Sequence, residues 1–247
     1  MRYLILSDIH SNKQALNKVI SEEKYDEILF LGDVVGYGGD PYYCYKTFLE
    51  LGGKGVMGNH EYGIVYPPSL LQFSENARLG VIYSSKHLPE EYKEHMESLP
   101  GFLQIDQMIL CHSMLENPFN FQYVFPEDKD SIYLKGSFKK LKELGGNVMF
   151  TGHTHRPCIF KEKIDGKIEQ YKSMEGDLFL DDQRYIINVG SVGQPRNKNP
   201  KAQYVIYDTS LHKITFKAVE YDIKGAAKQI KEEGLPPFLG ERLFEGI

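Results

Sequence analysis

The stretch YLILSDIHSNKQALNKVISEEKYDEILFLGD, Tyr3 to Asp33, carries the reading of the chain. Tyr3-Leu4-Ile5-Leu6 is an apolar run of strand length, and it gives way to Ser7-Asp8-Ile9-His10. Ser11 or Asn12 can cap the helix that follows, which carries Ala15, Leu16, Val19 and Ile20 on one face. Glu27-Ile28-Leu29-Phe30-Leu31 is a second apolar run, closed by Gly32-Asp33. Strand, helix and strand in this order predict neighbouring parallel strands joined by a right-handed crossover. Asp8 and His10 are two apart and project to the same side. Both runs end in polar groups at the carboxyl edge, where open α/β sheets place their ligands.

The same pattern recurs downstream. Asp40-Pro41 reads as an N-cap followed by the first helical residue, and that helix ends near Gly52-Gly53. Gly55-Val56-Met57 is predicted as a third short strand, ending in Gly58-Asn59-His60-Glu61. Residues 62 to about 99, rich in Tyr, Glu and Lys and punctuated by Pro67-Pro68 and Leu88-Pro89, read as a helical insertion. Strands resume at Phe102–Ile105 and at Met108–Cys111, the latter ending in His112-Ser113. A helix carrying Ile132, Leu134, Phe138, Leu141 and Leu144 precedes the Val148–Thr151 strand, which runs into Gly152-His153-Thr154-His155. The last third reads as a β-meander, with a hairpin at Asp165-Gly166 and strands near 185–189, 203–207 and 213–219. An amphipathic helix over 223–233 follows. With no repeat, low-complexity tract or linker, residues 1–247 are expected to form one α/β domain.

Composition narrows the function. The 247 residues are 41% hydrophobic and 26% charged, a globular balance, and no apolar stretch reaches the length of a membrane span. No basic segment followed by an apolar one opens the chain, so no signal peptide is expected. Cys44, Cys111 and Cys158 are isolated and odd in number, as reduced thiols of a cytoplasmic protein would be. They also offer no thiolate cage for a structural zinc. A net charge of −5 argues against stable nucleic-acid binding. It leaves room for a phosphorylated substrate drawn to a local cationic centre. His87 and His95 read as solvent-facing, His212 as part of a hairpin turn, and Tyr42-Tyr43-Cys44-Tyr45 as core packing or, secondarily, a homodimer surface.

Taken in order, Asp8-x-His10, Gly32-Asp33, Gly58-Asn59-His60-Glu61, His112 and Gly152-His153-x-His155 resemble the motif set of the calcineurin-like metallophosphoesterase superfamily. Within it the chain resembles a bacterial branch related to diadenosine tetraphosphatases and protein serine/threonine phosphatases. The similarity extends to LGDVVGYGGDP, GHTHRP, NVGSVGQPRN and the tail EYDIKGAAKQIKEEGLP…ERLFEG. The resemblance implies a four-layer α/β/β/α sandwich with the helical insertion at about 62–99, and two divalent metal ions, with manganese favoured over iron or zinc. Asp8, His10, Asp33 and His155 are implied as ligands of one ion, and Asp33, Asn59, His112 and His153 of the other.

Asp33 is then shared, and His60 is the expected donor to the leaving oxygen, making these two the catalytic candidates. Arg196 is a candidate phosphate clamp, since a guanidinium matches two phosphate oxygens. Asn12 and Gly190-Ser191 are candidate donors, and Tyr37 or Tyr62 a candidate ring for a nucleotide base. The expected reaction is hydrolysis of phosphate esters or phosphoanhydrides, dinucleoside polyphosphates among them. A protein phosphatase, a cyclic-nucleotide phosphodiesterase and a non-catalytic scaffold are the alternatives. Two departures from the family pattern stand out. Ser11 occupies a usual glycine position, and Ser113-Met114-Leu115 replaces a glycine-containing loop, so a narrower pocket rim is expected.

Overall fold

Successive residues of the first strand, β1 (Arg2–Leu6), serve two different cores: Leu4 and Leu6 face one, Tyr3 and Ile5 the other. This two-sided burial is why the strand reads as a continuous apolar run rather than an alternating one. The computed structural model describes residues 1–172 and 175–247. After β1 come α1 (Lys13–Glu22), β2 (Glu27–Phe30), α2 (Pro41–Glu50) and α3 (Asn59–Val65). A 3-10 turn at Pro67–Gln72 leads to α4 (Glu75–His87) and α5 (Glu90–Ser98). The second half contains β3 (Phe102–Ile105), β4 (Met108–Cys111), α6 (Ile132–Glu143), β5 (Val148–Thr151), β6 (Cys158–Glu162), β7 (Ile168–Lys172) and β8 (Gly176–Phe179). It closes with β9 (Arg184–Asn188), β10 (Ala202–Asp208), β11 (Lys213–Val219), α7 (Ile223–Glu232) and α8 (Pro237–Glu245).

Two sheets form, in the orders β2-β1-β10-β11-β8 and β3-β4-β5-β9-β6-β7. Tyr3, Ile5, Leu29 and Val205 of the first meet Leu110, Val148, Phe150 and Ile187 of the second in the inner core. On the outer face of the first sheet, Leu16 and Val19 of α1 and Cys44, Tyr45 and Phe48 of α2 pack on Leu4, Leu6 and Phe30. Leu134, Phe138 and Leu141 of α6 cover Ile109, Met149 and Ile186 of the second sheet. The result is the expected α/β/β/α sandwich. Each such buried side chain contributes about 1.5–3 kcal/mol. Asp40 caps α2 as expected, its carboxylate accepting from the Tyr43 N–H at 3.1 Å, with Pro41 in the first turn. No helix among the described residues is long and apolar enough to cross a membrane.

Four expectations need correction. Gly55-Val56-Met57 forms only an isolated bridge, Phe30 to Gly55, because the chain leaves the sheet edge at once to start α3. The last third is not a meander: β6, β7 and β9 join one sheet, while β8, β10 and β11 join the other. A further helix, α8, follows Pro236. His95 is half-buried rather than solvent-facing, its Nδ1 2.9 Å from the Tyr45 hydroxyl.

Candidate metal centre

The carboxyl ends of β1 and β2 in one sheet and β4, β5 and β9 in the other meet at a single place. Backbone hydrogen bonds stitch them together: Asp8 N–H to Gly32 O, His10 N–H to Asp33 O, Gly152 N–H to His112 O and Gly193 N–H to Asp8 O. Asp8, His10, Asp33, His153 and His155 all have positive φ, between 49° and 65°, although none is glycine. Such a conformation costs about 1–3 kcal/mol per residue and persists only where surroundings impose it. Five strained residues in one cluster mark the site. Gly152 makes the crowding possible, since a Cβ there would lie 1.8 Å from Ser7 Oγ.

The histidines are oriented by carbonyls. His10 Nδ1 lies 3.1 Å from Val35 O, His112 Nδ1 2.7 Å from Leu31 O and His155 Nδ1 2.5 Å from Gln194 O. His153 uses the other nitrogen, with Nε2 2.8 Å from Phe121 O. A carbonyl only accepts, so each of these nitrogens carries a proton and the opposite one is aimed inward. His10 Nε2 and His155 Nε2 then face each other at 3.1 Å. Burial pushes both rings below the usual imidazole range, so both are neutral and two lone pairs meet. Asp8 Oδ1 lies 3.1 Å from His155 Nε2, yet that nitrogen has no proton to give, and Oδ1 is buried without a hydrogen bond. A cation resolves both conflicts.

Asp33 stands between two groups, its Oδ2 3.8 Å from His10 Nε2 and 3.4 Å from His112 Nε2. Asp8, His10 and His155 form one set able to hold an ion; Asp33, His112 and His153 form another. Asn59 Oδ1 is 3.2 Å from His112 Nε2, beside the second set. His60 joins His10 and Asp33 in a third grouping, which the sequence did not suggest. Burial pushes His60 down to about 4 and His153 down to about 3. At His112 burial acts in the same direction, but the Asp33 carboxylate outweighs it and lifts the ring to about 9. Burial disfavours charge on Asp33 as well, but the charged His112 ring facing it holds its carboxyl below the usual carboxylate range. Imidazole nitrogens with carboxylate and amide oxygens, and no thiolate, suit borderline first-row divalent ions.

Glu61 is the part of the centre that sequence reasoning quoted but gave no role. Its fully buried carboxylate accepts from the N–H groups of Asp33 and Val34 at 2.8 Å, Gly58 at 3.0 Å and Val35 at 3.3 Å. Burial and the neighbouring Asp33 charge push it up to about 7. Its acidity directly after Asn59-His60 was the available signal. Asn12 is not brought to the pocket. Its side chain caps α1 and donates to Gly193 O and Tyr221 Oη, which leaves nothing for a substrate. The Ser191 hydroxyl is likewise committed to Asp8 O.

Asn59, His60 and His153 open into a pocket of about 720 Å³. Tyr37, Tyr62, Phe119, Phe121 and Tyr123 supply aromatic walls, and Arg196 and Arg242 supply charge. Tyr62 lies within 5.7 Å, ring centre to ring centre, of Tyr66, Phe119 and Phe121. Arg196 donates to Gln194 Oε1 at 2.8 Å and approaches Tyr37 Oη at 3.4 Å. Arg156 holds the Arg196 loop, its Nε donating to Arg196 O at 3.1 Å.

Comparison with known proteins bears on the same residues. The chain is 36% identical to an uncharacterized protein of Methanocaldococcus jannaschii, over 98% of this chain and 97% of that one. A crystal structure of a metallophosphoesterase from Sphaerobacter thermophilus superposes with a TM-score of 0.86 at 31% identity, covering all of both chains. A hypothetical protein from Pyrococcus horikoshii shares the fold at 19% identity, with a TM-score of 0.79, over 100% and 98% of the two chains. Residues 1–211, which hold every strand end described above, match the family described as calcineurin-like phosphoesterase superfamily domain. With site, fold and family profile in agreement over most of its length, the chain belongs to the calcineurin-like phosphoesterase superfamily and is a phosphoester hydrolase fold built to hold divalent metal.

Proposed function

We propose that the protein hydrolyses phosphate esters or phosphoanhydrides at a dinuclear centre. Asp8, His10, Asp33 and His155 would hold one ion, and Asp33, Asn59, His112 and His153 the other. The observation that carries this reading is the set of imidazoles locked by carbonyls so that their free nitrogens converge on two buried carboxylates. Divalent ions bound there, manganese first among the candidates, supply Lewis acidity for a water nucleophile and for the phosphoryl oxygens. Asp33 would serve both ion sites, and it fixes the start of α3, its Oδ1 accepting from the His60 N–H at 2.8 Å.

His60 acts on the leaving oxygen. Its Nδ1 is buried without a partner against Gly36, so a proton there would be unsatisfied and the neutral ring carries it on Nε2. That nitrogen lies 3.9 Å from Asp33 Oδ2, at the floor of the pocket, placed to stabilise developing charge. His60→Ala should keep near-normal metal content while kcat falls by about 10²–10⁴-fold, most for poor leaving groups. His153→Ala should instead lose metal. Metal analysis alongside leaving-group kinetics separates the two. If His60→Ala loses metal as fully as His153→Ala, His60 is a ligand, as its grouping with His10 and Asp33 allows.

The aromatic walls favour a nucleotide substrate, a dinucleoside polyphosphate above all. Stacking one base contributes about 1–3 kcal/mol, roughly ten- to a hundredfold in affinity. A dinucleoside polyphosphate should therefore be cleaved with higher kcat/KM than an aryl phosphate or a phosphopeptide. Tyr62→Ala or Tyr37→Ala should remove much of that preference. A phosphopeptide that wins the comparison, or tyrosine variants that keep the full preference, would turn the reading toward a protein phosphatase.

A further inference from the structure

Two guanidinium groups share the pocket above the centre, and only Arg196 comes from the family-matched region 1–211. Arg242 comes from α8, in the tail beyond it. Among the described residues no Asp or Glu side chain pairs with either arginine. Arg242 spends its Nε on the Ile247 main-chain oxygen at 2.5 Å and rests its guanidinium 5.3 Å from the Phe238 ring centre. Its remaining nitrogens are left to the pocket. Arg196 Nε is buried without a partner. With no Asp or Glu side chain against either among the described residues, the two guanidinium groups held in one cavity repel each other, and a bound anion relieves that repulsion.

The placement of Arg242 is fixed by packing. Leu239 and Leu243 of α8 are buried with Ala226 and Ile230 of α7, Ala77 of α4 and Tyr37. The helix ends at Gly246, in the left-handed region at φ 64°, directly against the Asn199 backbone. The Gly246 carbonyl accepts from the Lys198 N–H at 2.8 Å. The tail that carries Arg242 is thus docked on the loop that carries Arg196. Burial and the nearby Arg196 charge push Arg242 down to about 10.

We propose that Arg242 and Arg196 form a second anion subsite, which takes the phosphate next to the one being hydrolysed in a phosphoanhydride substrate. The proposal rests on the hydrolase reading of the same pocket and refines it: the tail selects substrates with at least two adjacent phosphates over simple monoesters. A guanidinium fork matches phosphate oxygens in a way a lysine ammonium does not.

The test is binding rather than turnover, so it stands apart from the nucleotide and hydrolysis readings. Inorganic phosphate and methylenediphosphonate, a pyrophosphate analogue whose P–C–P bridge is not hydrolysed, are titrated calorimetrically into metal-loaded protein at fixed free metal. The native protein should bind the diphosphonate at least tenfold more tightly than phosphate. Arg242→Gln should weaken the diphosphonate tenfold or more and phosphate less than threefold. Arg242→Lys should recover part of the loss, and Arg242→Met, which keeps the stem packed on Phe238, should behave like Arg242→Gln. The proposal is overturned if the native protein does not prefer the diphosphonate, if Arg242→Gln binds it as tightly as the native protein, or if both anions weaken equally.

Discussion

Asp33→Asn is expected to lower kcat/KM on an aryl phosphate by about 10³-fold or more. The change neutralises the one carboxylate that faces both ligand sets. Loss of metal-derived charge stabilisation amounts to several kcal/mol in the transition state, and about 4 kcal/mol is a factor of about 10³. The amide oxygen can still accept from the His60 N–H, so the fold should survive and the effect should be on metal content and rate. Chelation should reproduce the loss in the native protein, and added manganese should reverse it. Protons oppose binding here, because burial's downward push on His112 is outweighed by Asp33 and the ring reaches about 9. Metal uptake at pH 7 should therefore release that proton, and apparent affinity should fall about tenfold for each unit of acidification. Full activity in a rigorously chelated sample, or an Asp33→Asn variant with native kinetics, would sink the metal mechanism.

Glu61→Ala is expected to be the most destabilising single change near the site, by about 3–5 kcal/mol. The carboxylate is the partner of four buried N–H groups, those of Asp33, Val34, Val35 and Gly58. An orphaned buried donor costs about 1–3 kcal/mol, and water entering the gap can satisfy some of the four. Glu61→Gln keeps one accepting oxygen but turns an amide N–H₂ toward donors, so it should lose about half as much. Urea unfolding midpoints with unchanged slopes would measure both. Because the same hydrogen bonds hold Asp33 at its positive φ, metal affinity should fall together with stability. A Glu61→Ala protein with native stability and native metal content would show that the loop holds itself.

The tertiary structure explains why some residues were legible and others were not. Asp8-x-His10, Gly32-Asp33 and Gly152-His153-x-His155 stood out because each ends an apolar run, and that context is written within a few residues. Helices α2 and α6 and the Asp165-Gly166 hairpin were legible for the same local reason: caps, periodicity and turn residues. Arg242 had no such signal. It lies on a short helix after Pro236, and only the packing of Leu239 and Leu243 brings it to a pocket otherwise lined by residues between Tyr37 and Arg196. Asn12 was misread as a pocket donor because capping and substrate binding call on the same side-chain chemistry.

By itself the sequence determined most element types and the polar residues that close the strands, and the family resemblance it carries implied the α/β/β/α class. It did not determine which sheet each late strand joins, since strand partners are chosen by contacts between residues distant in the chain. Nor did it determine which nitrogen of each histidine faces inward, which Val35, Leu31, Gln194 and Phe121 decide through their carbonyls. Those choices depend on groups brought together from both sheets, and a backbone carbonyl carries no residue-specific mark in the sequence. Only folding sets them.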